Sequence, residues 1–87
     1  MKREDVYKLI DSERKYQEQL PYYSEEAEKK HPVSSWMIAI EKHLDNAKAE
    51  VYKLDDAAAL EEVRKIAAIA VACMENNDTP ERHVELN

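Results

Sequence analysis

The stretch Leu60-Glu61-Glu62-Val63-Arg64-Lys65-Ile66-Ala67-Ala68-Ile69-Ala70-Val71-Ala72-Cys73-Met74-Glu75 constrains this chain more than any other. Its first half reads as an amphipathic helix. Its second half, Ile66 to Met74, is nine apolar residues in a row, four of them alanine. A surface helix keeps one face polar along its length. A helix that is apolar all round has to be enclosed by other helices. In a chain of 87 residues few remain to enclose it, so a second copy of the chain is an expected partner. Small domains commonly complete a thin core by oligomerising. Alanines at 67, 68, 70 and 72 would let neighbouring backbones approach on more than one side.

The chain has no glycine. Turns that need positive φ then fall to Asn or Asp, or are avoided. That disfavours hairpins and favours helices joined by short polar loops. Apolar spacing predicts three helices. The first covers about residues 3–19, with Val6, Leu9, Ile10, Tyr16 and Leu20 at helical spacing, Glu13 inside the stripe, and Pro21 ending it. The second covers 34–53, with Met37, Ile40, Leu44, Ala47 and Val51 as its stripe and Ser34 or Ser35 as its cap. The third covers 57–75, capped by Asp55 or Asp56. Asparagine at 76 or 77, in the left-handed conformation ahead of Pro80, would stop it.

Residues 21–33 form a loop long enough to be mobile or functional, and 76–87 a loose tail. The linker between the second and third helices permits only an antiparallel pair. The expected fold is all-α: one domain over residues 1–87, a three-helix antiparallel bundle with the C-terminal helix central, oligomerising through helix packing.

The net charge is −6. It is spread along the chain, with no basic arm or acidic tail, and argues against duplex nucleic acid as a partner. A small anion held by two or three local cations remains compatible with it. The one cysteine, Cys73, cannot form an internal disulfide and reads as an inert thiol in the apolar run. The first residues are charged throughout and do not read as a signal peptide. The apolar run falls far short of the roughly 20 residues that span a bilayer. A cytoplasmic protein without a membrane partner is expected.

Candidate chemistry is sparse. Without glycine there is no phosphate-cradling loop and no nucleophile elbow, and His31, His43 and His83 lack zinc spacing. Carboxylates on helices can hold magnesium. Glu41 with Asp45, and Glu61 with Glu62, are the candidates, and Glu13 faces inward. Their ordinary roles would be solvated charges and acids at a helix N-terminus. Among cations, Arg14, Arg64 and Lys65 lie nearest the apolar stripes. Arginine there can grip phosphate bidentately, and Trp36, Tyr22 and Tyr23 could stack on a base. Competing with these roles are a salt bridge from Arg64 to Glu13, Glu41 or Glu61, and a core-anchor role for Trp36.

The pattern Ile10-x-x-Glu13-Arg14-x-x-Gln17, His31-x-x-Ser34-x-Trp36, Ile40-Glu41, then Arg64 to Glu75 resembles a group of small phage-encoded proteins. More distantly, it resembles the MazG-like all-α nucleotide pyrophosphohydrolases. The resemblance spans Ile10 to Glu75. It implies helical oligomers and, for the MazG-like enzymes, magnesium-dependent hydrolysis of nucleoside triphosphates. Glu61-Glu62-Val63-Arg64-Lys65 is similar to the start of their second metal motif. Lys65 stands where that motif has an aspartate, and the second helix offers Glu41 and Asp45 but no double Glu. A lysine there repels a metal and favours a phosphate without one.

The resulting expectation is a non-catalytic helical homo-oligomer without a cofactor. It would bind a nucleotide or another small anion through Arg14, Gln17, His31, Trp36, Arg64 and Lys65. In a phage it would sequester an immune signal in the host cytoplasm. The alternatives are a Mg2+-dependent pyrophosphohydrolase using Glu41, Asp45, Glu61 and Glu62, and an inhibitor that binds a host defence protein.

Overall fold

The computed structural model describes residues 1–24, 26–27 and 31–83. It is all-helical, with α1 at Arg3–Gln17, α2 at Val33–Tyr52 and α3 at Asp56–Glu75, and no strand among the described residues. α3 is central and packs against both other helices. The α2–α3 pair is an antiparallel hairpin. α1 lies across another side of α3: Arg14 and Gln17, one turn apart, reach Glu75 and Lys65, which are about 15 Å apart along the α3 axis.

The core is small and centres on Trp36, which packs with Ile69 and Ala72 and has no exposed surface. Tyr23, Ala39, Ile40 and Cys73 surround it, half-buried. Alanine at 72 gives the indole the room it needs at the helix contact. Only Ala68, Ile69 and Ala72 of the apolar run are buried. Ala67, Ala70 and Val71 are partly covered, and Met74 is exposed. Within one chain the run is therefore enclosed on one side, not all round.

The helix ends follow local chemistry that differs in places from the sequence reading. α1 stops at Gln17, and Gln19 and Leu20 donate backbone bonds to Tyr16 and Gln17 to wind down the turn ahead of Pro21. At α2 the N-cap is Pro32, without a side-chain bond, and neither Ser34 nor Ser35 holds that position. Asp55 caps α3 as expected, its Oδ1 accepting from the Ala58 N–H at 3.0 Å.

Between α2 and α3 the expectation about turns fails. Asp55 N–H donates to Glu50 O and Leu54 N–H to Val51 O. Those two bonds form a Schellman ending, whose left-handed position glycine usually fills. Here Leu54 fills it, with φ of 60°. At the end of α3, Asn76 has φ of −95° and is not left-handed. Instead the Asn76 and Asn77 side-chain amides donate to the Ala72 and Cys73 carbonyls, each at 2.8 Å. The Ala72 carbonyl also accepts the Asn76 backbone N–H, and the Asn77 amide gives the Cys73 carbonyl a donor at the helix end.

Rings hold the described part of the 21–33 connection against the core. Pro21–Tyr23 is a 3-10 turn. His31 stacks on Tyr22 at 4.3 Å and meets Trp36 edge-on at 5.4 Å. Its Nε2 lies 3.2 Å from the Tyr22 carbonyl. Glu25 and residues 28–30 of this connection, and residues 84–87 of the tail, lie outside the described residues.

Candidate functional site

The buried residues of α1 are all polar: Glu13, Arg14 and Gln17. Their spacing puts all three on the face that meets α3. Burying such groups is costly unless each finds a partner. α3 supplies the partners. Arg64 Nε donates to Glu13 Oε1 at 2.8 Å, and Arg14 Nε to Glu75 Oε1 at 3.2 Å. Gln17 Nε2 donates to the Lys65 carbonyl at 3.4 Å, while its Oε1 has no partner among the described residues. The competing salt bridge of Arg64 is thus the observed one, and its acid is Glu13.

A second polar cluster ties α2 to α3. Glu62 accepts at 2.7 Å from His43 Nδ1 and at 3.3 Å from Lys65 Nζ. Burial pushes the Glu62 carboxyl up, but the hydrogen bonds and charges of His43 and Lys65 outweigh it and hold the group below the usual carboxylate range. The Lys65 carbonyl thus faces α1, while its ammonium braces Glu62 one turn away on α3, and His43 carries the bond to α2.

Of the six residues nominated for an anionic ligand, the fold brings the side chains of three to the α1–α3 seam, Arg14, Gln17 and Arg64, and of Lys65 only the carbonyl. Arg14, Arg64 and Lys65 each face a carboxylate, Lys65 that of Glu62 in the second cluster. His31 and Trp36 sit apart, in the aromatic cluster, and Trp36 is too enclosed to offer a ring face to a base. The alternative acids diverge. Glu41 and Asp45 are exposed on α2, Glu61 borders the α1–α3 groove, and Glu62 turns to His43. No three His, Cys, Asp or Glu side chains among the described residues are grouped to hold a metal ion.

A groove on the surface is mostly apolar. On one side of the α1–α3 contact, Val6, Leu9 and Ile10 face Leu60, Val63 and Ala67 across a groove of about 430 Å³. Leu60 is 64% exposed and Val63 48%. The α3 members continue as Leu60, Val63, Ala67, Ala70 and Met74, a run of threes and fours that keeps one stripe of the helix. That spacing was legible, but a sequence does not say which stripe its own neighbours leave open. No protein family, curated protein or solved structure matches this chain. No described helix is long and apolar enough to cross a membrane.

Proposed function

We propose that this chain acts by binding and not by catalysis, as a small helical interaction module whose working surface is the apolar α1–α3 groove. The observation that carries this is the exposure of Leu9, Leu60 and Val63 together around one groove in a chain with so small a core. Contiguous apolar surface of this kind marks contact sites for other proteins. The polar seams beside it fix the helices that form its walls.

The test is co-purification from cells carrying two differently tagged copies of the chain, with Val63→Glu compared to wild type. A protein held stoichiometrically by the wild type and lost with Val63→Glu supports the reading. Identical retained proteins would sink it.

A second reading keeps a nucleotide or other small anion as ligand, favoured by the convergence of the Arg14, Gln17 and Arg64 side chains on one seam, with Lys65 beside it. Its phosphate would have to displace Glu13 or Glu62 from the cations they hold. Titration calorimetry against mono-, di- and cyclic nucleotides tests it. Heat that vanishes with Arg64→Ala is the expected result, and no heat with any nucleotide excludes it.

A further inference from the structure

The geometry points to a second copy of this chain as the occupant of the apolar face, an inference that rests on the binding reading above. The surface area leaves room for it. The chain exposes 7067 Å². A compact monomer of 10.2 kDa exposes about 5,300 Å². If pairing removed only half of that difference from each copy, the contact would bury about 1,700 Å² in total, the size of a stable specific interface.

Charge and shape agree with the area. With −6 per chain, two copies repel overall, so a contact between them is best made through an uncharged face. The stripe Leu60, Val63, Ala67, Ala70 and Met74 carries no charge. By helical phase, Met37, Leu44 and Val51 of α2 border it on the side away from Tyr23, and all three are exposed. The face thus spans all three helices: Val6 and Leu9 on one flank, the α3 stripe at the centre, α2 on the other flank.

A twofold axis makes a surface pair with itself. Ala67 is the midpoint of the stripe, and it is small. An axis passing near it brings two α3 helices close at the centre, while the larger side chains at 60, 63 and 74 fill the contact outward. Each copy would then enclose the side of Ile66–Met74 that its own helices leave open.

Sedimentation equilibrium, from micromolar to millimolar chain, tests the inference. The expected mass is two chains for the wild type and one chain for Val63→Glu, with helical circular dichroism unchanged. Should Val63→Glu not fold, Leu60→Glu, at a more exposed position, serves in its place. Ala67→Cys in a Cys73→Ser background should oxidise to a covalent pair. A wild type of one chain at every concentration overturns the inference. So does a pair indifferent to both glutamates. A one-chain wild type that still holds another protein lost with Val63→Glu rejects only the second copy. A one-chain wild type with no such protein rejects the binding reading as well.

Discussion

Leu54 shows how a glycine-free chain meets a glycine-shaped demand. The left-handed region costs a side-chain-bearing residue about 1–2 kcal/mol. Glycine gives back part of this through its own chain entropy, about 0.5–1 kcal/mol. Leu54 is 91% exposed and contributes almost no packing. Leu54→Gly should therefore stabilise the chain by about 0.5–1 kcal/mol, seen as a melting temperature higher by a few degrees. The sequence reading assigned such turns to Asn or Asp, because residue preference says nothing of which backbone bonds a helix end must close. Glu62 gives a second residue-scale expectation. Its folded pKa lies below the ordinary 4.5. The stability it adds is present above that value and is lost as pH falls through the folded pKa. Urea midpoints measured downward from pH 5 should fall less steeply for Glu62→Gln than for the wild type.

At the scale of elements, α1 differs in kind from the α2–α3 hairpin. The hairpin shares the Trp36–Ile69–Ala72 core. α1 is held by Glu13, Arg14 and Gln17. Arg64 is 39% exposed, so solvent screens part of its bond to Glu13. Glu13→Met should cost about 1–2 kcal/mol by leaving Arg64 without its acid, and Glu13→Met with Arg64→Met should recover much of that. Denaturation of the two single variants and the double variant completes the cycle. Native-state hydrogen exchange should show α1 amides opening at lower free energy than those of α3, and the gap should widen in salt. Glu13 was legible in the sequence as an acid misplaced in an apolar stripe, and Arg64 was among its foreseen partners. The bond from Gln17 was not legible, because its acceptor is a backbone carbonyl on a distant helix.

The whole molecule is a slab, 42 × 40 × 23 Å, with a radius of gyration of 14.7 Å. A compact domain of this length has about 12 Å. Small-angle scattering of the Val63→Glu chain should therefore give a radius well above the compact value; a value at 12 Å would mean that α1 folds in closer. Three helices with the third at the centre could be read from periodicity and the short Lys53–Asp55 link. The flat shape could not, since it depends on how steeply α1 crosses α3.

The two polar seams give this slab a mechanical property. Gln17 of α1 holds the Lys65 carbonyl and His43 of α2 holds the Glu62 carboxylate, so α3 cannot roll about its axis without breaking a bond to one neighbour or the other. The two bonds act as a key in a shaft. The direction in which Leu60, Val63 and Ala67 point is set by these polar bonds as well as by apolar packing, which alone would tolerate sliding.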